Sequence, residues 1–171
     1  MYDNDTFSLE NLPSMDASPA EKDRQWKTWA AHEIQRRALL AQYILDGLVS
    51  SASGNPTSTR HAANQLGLPC DESLFEASTA DEWLMKMRSQ PKQDVSFRNI
   101  FRSLFLPVDM GRLPEHTLTS FSLRVLLEGV QSLVSDSTDG PSVGVPTRSE
   151  IRRALAQVHE SITKNTISTP E

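Results

Sequence analysis

The chain has 171 residues, about one domain's length, with a net charge of −5 from 22 acidic and 17 basic residues. That balance argues against a phosphate-gripping surface, because such surfaces carry a basic stripe, and the dense basic pairs Arg36-Arg37 and Arg152-Arg153 both fall in helical patterns. The single cysteine, Cys70, excludes an internal disulfide and any cysteine-clustered zinc or iron–sulfur site, and it fits a reducing compartment.

The opening stretch, MYDNDTFSLENL, is polar and acidic, which does not fit a secretory signal. Its Asp, Asn and Ser content predicts a tail over residues 1–17. Ser18-Pro19-Ala20-Glu21 then supplies an N-cap, a proline at the first helical position and a capping-box glutamate, so a long helix starts here. The run SSASGNPTSTR, with Gly54 and Pro56, ends it near Ser50.

Along this helix Trp26, Trp29, Glu33, Arg37, Leu40, Ile44 and Leu48 share one stripe at about 100° per residue. Its second half carries Leu39, Leu40, Tyr43, Ile44, Leu45, Leu48 and Val49 around nearly the whole circumference, which predicts a helix surrounded by others. Glu33 interrupts the stripe and can meet Arg36 or Arg37 at a spacing of three or four. Two readings stand: an exposed pair, or a partly buried ion network joining the helix to another element. The position between tryptophans and leucines favours the network, since a buried charge must be paired.

Residues 60–77 read as irregular, with a helical turn at Ala62–Leu66 and an extended Leu68-Pro69-Cys70. Thr79 and Glu82 form a second capping box ahead of a short helix in which Trp83 is a packing residue. Phe97, Ile100, Phe101, Leu104 and Phe105 repeat at helical spacing and predict either a core helix or an exposed docking surface. Residues 117–135 form a strongly apolar helix around Phe121, Leu123, Val125, Leu126, Leu127, Val130, Leu133 and Val134, with little room for a wet face. Thr119 or Ser120 caps it. Gly129 in its interior costs about 1 kcal/mol unless another element approaches closely. After a polar loop, Thr147 and Glu150 form a third capping box before a last helix bearing Ile151, Leu155, Val158 and Ile162. Strand signals are weak throughout. These features predict an all-α, irregular multi-helix arrangement with a buried central helix over residues 18–165, followed by a frayed end at 166–171.

No catalytic constellation emerges. The histidines His32, His61, His116 and His159 lack metal-ligand spacing, and there is no phosphate-cradling glycine loop or nucleophile elbow. Cys70 precedes Asp71 and Glu72, whose charge disfavours a thiolate, so it reads as a structural thiol. No apolar run approaches the roughly 18 residues of a membrane helix. Catalytic, cofactor and metal residues are therefore expected to be none.

The helix WKTWAAHEIQRRALLAQYILDGLVSS resembles the fungal-specific transcription factor domain, or middle homology region, through Trp26, Trp29, Glu33, Arg36, Arg37 and Leu45-Asp46. LGLPCDESLFEASTADEWLMKM resembles the family's next stretch through Leu68, Pro69, Cys70, Leu74, Phe75, Glu76, Ala77, Glu82 and Trp83. Phe75 stands where the family usually has Trp. LTSFSLRVLLEGVQSLV, with Phe121, is similar to its buried helix. The version resembled most accompanies C2H2 zinc fingers. The resemblance implies a regulatory domain, in part, of a nuclear transcription factor, with Trp26, Trp29, Glu33, Arg36, Arg37, Cys70, Trp83 and Phe121 as structural residues. It implies contacts with other parts of the same protein or with protein partners, and is compatible with dimers. DNA contact and zinc are expected only in a separate module outside this sequence.

Overall fold

The computed structural model describes residues 12–55, 66–89, 96–106, 118–136 and 146–167. Six helices lie among them: α1 (Pro19–Ser53), α2 (Glu72–Phe75), α3 (Ala80–Ser89), α4 (Phe97–Ser103), α5 (Ser120–Asp136) and α6 (Arg148–Ile167). The only extended pairing among the described residues is an isolated antiparallel bridge between Gly67 and Ser96. The architecture is all-α and irregular. No described helix is long and apolar enough to cross a membrane.

The helix ends follow the chemistry in the sequence. Glu21 N–H donates to Ser18 Oγ at 3.3 Å, which starts α1. Gly54 adopts φ +70° and its N–H donates to Ser50 O at 2.9 Å, the left-handed stop that glycine makes cheaply. At α6 the box is reciprocal: Thr147 N–H donates to Glu150 Oε2 at 2.7 Å, and Glu150 N–H to Thr147 Oγ1 at 3.3 Å. The Thr147 backbone N–H, and after it the Thr147 hydroxyl, which donates to Glu150 Oε2 at 2.7 Å, hold the Glu150 carboxyl below its ordinary range. At α3 the reach-back goes one residue further. Glu82 N–H donates to Thr79 Oγ1 at 3.2 Å, while Glu82 Oε2 accepts from Ser78 N–H at 2.9 Å. Thr119 caps α5 by accepting from Ser122 N–H at 3.0 Å. The short α2 was read from the sequence as irregular; Asp71 starts it, accepting from Ser73 N–H at 2.9 Å.

Two compact units share the chain: Met1–Gln35 with Cys70–Asp94, and Arg36–Pro69 with Val95–Glu171. The first unit packs Trp29, Leu74, Ala77, Trp83, Leu84 and Met87, with Leu12, Trp26, Cys70 and Phe75 partly buried against them. Trp29 and Trp83 meet at a centroid distance of 5.7 Å, tilted by 42°. Lys22 Nζ reaches Asp81 Oδ1 at 2.8 Å, an ion pair between α1 and α3. Within the segment read as a tail, the chain from Leu12 onward is held: Pro13 is buried, and its carbonyl accepts from Arg88 Nη2 at 2.8 Å. Residues 1–11 of that tail, and residues 168–171 of the frayed end, lie outside the described residues. So do residues 62–65 of the turn expected at Ala62–Leu66, and His61 and His116.

The second unit is built on α5, whose Leu123, Val125, Leu126, Val130 and Leu133 are buried among Leu40, Tyr43 and Ile44 of α1, Phe97 and Phe101 of α4, and Ile151, Ala154 and Val158 of α6. Phe97 and Phe101 stack at 5.3 Å, Phe101 meets Phe105 edge-on at 5.3 Å, and Tyr43 meets Phe97 edge-on at 6.2 Å. Gly129 is explained by close approach. A Cβ there would lie 2.7 Å from the Phe101 ring, so the glycine lets α4 sit against α5.

Two expectations need correction, and one open choice is decided. The second half of α1 is not surrounded: Leu40, Tyr43 and Ile44 are buried, but Leu45 is 59% and Val49 64% exposed. α5, the other strongly apolar helix, is the buried central one, but it keeps a wet edge at Gln131 and Val134 where little room for one was expected. The Phe97–Phe105 face is core rather than docking surface, with Phe97, Phe101 and Leu104 buried and Phe105 partly so.

Candidate functional site

Among the described residues each unit holds one buried glutamate, and the two differ in how they are satisfied. Glu33, 1% exposed, projects from α1 in the first unit, and its Oε1 accepts from the backbone N–H of Cys70 at 3.0 Å. The Leu68-Pro69 pair delivers that N–H. Proline at 69 favours extended backbone at Leu68, and the chain then turns into α2. The Cys70 thiol, half-buried, donates to Asp71 O at 3.4 Å. A carboxylate on α1 thus accepts a hydrogen bond from the backbone at the entry to α2.

Glu128, 4% exposed, sits in the middle of α5 in the second unit. Its side chain lies over Gly47 of α1 so closely that a Cβ on Gly47 would be 1.7 Å from Oε1. Oε2 is buried and has no hydrogen-bond partner among the described residues. The carboxylate forms an ion pair with Arg124, whose Nη2 stands 4.0 Å from Oε2, one turn away on the same helix and beyond hydrogen-bond reach. Burial pushes the Glu128 carboxyl above its ordinary range; Arg124 pulls it back, and the Asp46 carboxylate raises it further. The Tyr43 hydroxyl is likewise buried without a hydrogen-bond partner, and burial followed by the Glu128 charge raises its pKa.

Beside Glu128 runs a groove of about 340 Å3 formed by α1, α5 and α6, whose lining includes Gly47, Leu48, Leu127, Glu128, Val134 and Leu155. Leu48, Val134 and Leu155 are exposed along it. Among the described residues no group of three His, Cys, Asp or Glu side chains could hold a metal ion.

The residues singled out in the sequence distribute as follows. Trp26, Trp29, Glu33, Cys70 and Trp83 come together in the first unit, with Trp83 fully buried and Trp26 half-buried. Arg36, Arg37 and Phe121 belong to the second unit and are half-buried. The Arg36 side chain passes Gly67, its Nε 3.9 Å from where a Cβ would stand. Phe121 packs on the edge of the second core. Glu128 and Gly47 drew no notice in the sequence. The signal available was a lone carboxylate in an otherwise apolar stretch of α5.

A family model described as the fungal specific transcription factor domain matches residues 4–106, more than half of the chain. The chain belongs to that family. The matched residues carry α1 to α4, and so include Trp26, Trp29, Glu33, Arg36, Arg37, Cys70 and Trp83. The α5 segment bearing Phe121 and Glu128, and α6, lie beyond the matched part of the fungal transcription factor domain. No curated relative and no solved structure matches the chain.

Proposed function

We propose that this chain is the regulatory region of a fungal RNA polymerase II transcription factor, one that does not itself touch DNA. It acts by contact with other parts of the same factor or with protein partners, in the nucleus, and has no enzymatic activity. The observation that carries this reading is the family match over residues 4–106. Two physical features support it. The acidic net charge of −5 opposes phosphate binding, and the exposed apolar side chains of α1, Leu45, Leu48 and Val49, offer contact area to a protein. DNA reading and zinc belong to a separate module such as C2H2 fingers, and dimers are compatible with the same surfaces.

The test is to fuse the chain between a heterologous DNA-binding domain and an activation domain in a fungal reporter strain, and to follow the location of the tagged full-length product. Reporter output should change several-fold relative to a fusion lacking the chain, and the full-length product should be nuclear. Unchanged output together with a cytosolic product would assign the chain to a scaffold without a transcriptional role.

A further inference from the structure

The second half of α1 turns to water a face unlike that of the first half. In the first half the exposed positions include Glu21, Arg24 and Lys27. From Ala38 to Ser53 no exposed position is charged, and Arg36, Arg37 and Asp46 on the same stretch are half-buried and already engaged. A helix face turned to water ordinarily carries charge. This one carries Ala38, Ala41, Leu45, Leu48 and Ala52, spaced alternately by three and four residues, the a/d register of a coiled-coil seam. Leu45 is 59% and Leu48 45% exposed, with Val49 beside them at 64%. The register sets the shape of what covers the face, because such a seam is filled by the seam of a second helix lying alongside. Charge narrows the choice. The covering helix must be apolar at its own a and d positions and bring no charge to the contact. Among the described helices only this face of α1 meets that condition. On α6 the exposed Leu155 and Ile162 are interleaved with exposed His159 and Glu160, while Met85 of α3 and Val134 of α5 are single exposed apolar residues. Two copies of a chain with net charge −5 repel each other over most of their surface, and a charge-free strip is where they can meet.

We propose that this face of α1 pairs antiparallel with the same face of a second copy, Leu45 seating on Ala41 and Leu48 on Ala38 of the other chain. In this register every large seam residue meets a small one, which packs without gaps, and the two helix dipoles oppose. The two-fold axis makes both halves of the contact identical. Parallel pairing would instead set Ala38 on Ala38 and Leu45 on Leu45, leaving gaps at the alanines. The seam covers about two heptads, roughly 22 Å of helix, so the dimer is of the weak, transient class. The inference rests on the proposed contact role of this surface and names the partner as a second copy of the chain.

The experiment is sedimentation equilibrium of the full chain from about 10 μM to about 1 mM, where a dimer should form with a dissociation constant of roughly 0.1–1 mM. Leu45→Glu should weaken association at least about ten-fold. Leu45 is mostly exposed, so that variant should keep the wild-type melting curve. Met85→Glu, at an exposed apolar residue of α3, should leave association unchanged. Cysteine pairs read the register in a Cys70→Ser background. Ala38→Cys mixed with Leu48→Cys should form a disulfide-linked dimer on mild oxidation, while each alone should link little, because its own copy lies about ten residues of helix, or roughly 15 Å, away. A monomer at every concentration would overturn the proposal. So would equal losses from Leu45→Glu and Met85→Glu, or efficient self-linkage of Ala38→Cys, which reports parallel chains. A monomer whose reporter response is lost in Leu45→Glu would give the face to a different protein and overturn the second copy alone. A confirmed dimer without any reporter response refutes the regulatory reading and leaves the pairing standing.

Discussion

The two units each bury a glutamate, and they do so to opposite effect. Around Glu33 the neighbouring chain is arranged to satisfy the carboxylate: Leu68-Pro69 presents the Cys70 N–H, and the same unit packs the aromatic pair Trp29 and Trp83. Around Glu128 the chain makes room for the carboxylate without completing its hydrogen bonds. Gly47 withdraws, Arg124 stops at 4.0 Å, and the aliphatic core of Leu126 and Val130 lies on the same helix. Burial alone does not tell a carboxylate whose hydrogen bonds are met from one whose bonds are not. The distinction lies in whether the fold supplies the donor.

The largest expected effect comes from removing the satisfied glutamate. Glu33→Leu leaves the Cys70 N–H without its acceptor, and hydrogen bonds to charged groups contribute about 1.5–3 kcal/mol. Urea unfolding should show a loss of that size. Glu33→Gln keeps an acceptor oxygen and should lose clearly less. Equal losses for the two variants would make packing, rather than the bond to Cys70, the reason for the residue.

Next in size is Gly129→Ala. The new methyl meets the Phe101 ring, which is itself stacked on Phe97, so nothing nearby yields easily. Overpacking of this kind costs about 1–3 kcal/mol. Gly47→Ala meets the end of the flexible Glu128 side chain instead, and should cost less in thermal unfolding. A larger loss at Gly47 than at Gly129 would mean that the Glu128 carboxylate is as rigidly seated as an aromatic ring.

Much of this architecture is legible in the sequence because it rests on local chemistry. Ser18, Thr79, Thr119 and Thr147 announce their helices, and Gly54 ends α1, since each acts on backbone atoms within a few residues. The aromatic pattern of α4 marks an apolar face, but does not by itself separate core from docking surface; Gly129 receiving Phe101 decides that. The apolar second half of α1 misleads for a related reason. Hydrophobic residues tell which surfaces prefer burial, while coverage depends on how many neighbours the fold supplies, and Leu45 and Val49 have too few. The four-residue α2 is below the length at which periodicity speaks, leaving only Asp71 as a clue. Glu128 is the deepest omission. Its meaning depends on Gly47, 81 positions earlier in the chain, and no local pattern connects a glycine in one helix with a carboxylate in another.

The smallest expected effect discriminates the two glutamates most sharply, because its sign is reversed. Folding raises the Glu128 pKa through burial above the value of about 4.3 typical of an unfolded chain. The folded state therefore binds the proton more tightly than the unfolded state does. The stability contributed by protonated Glu128 is fully present below the unfolded value and is lost as pH rises through the folded value. At pH 7 the wild-type chain consequently carries a cost that an uncharged side chain avoids. Glu128→Gln should raise stability by about 1 kcal/mol at pH 7, the lower end of what an unsatisfied buried polar group costs, since the amide also lacks full bonding. Near pH 4 the gain should shrink, because protonation, which the raised pKa favours, removes the charge from wild-type Glu128. Melting temperatures of both proteins at pH 4 and pH 7 measure this directly. A destabilised Glu128→Gln at pH 7 would show that Arg124 compensates the charge in solution, and would place Glu128 with Glu33 as a residue that holds its unit together.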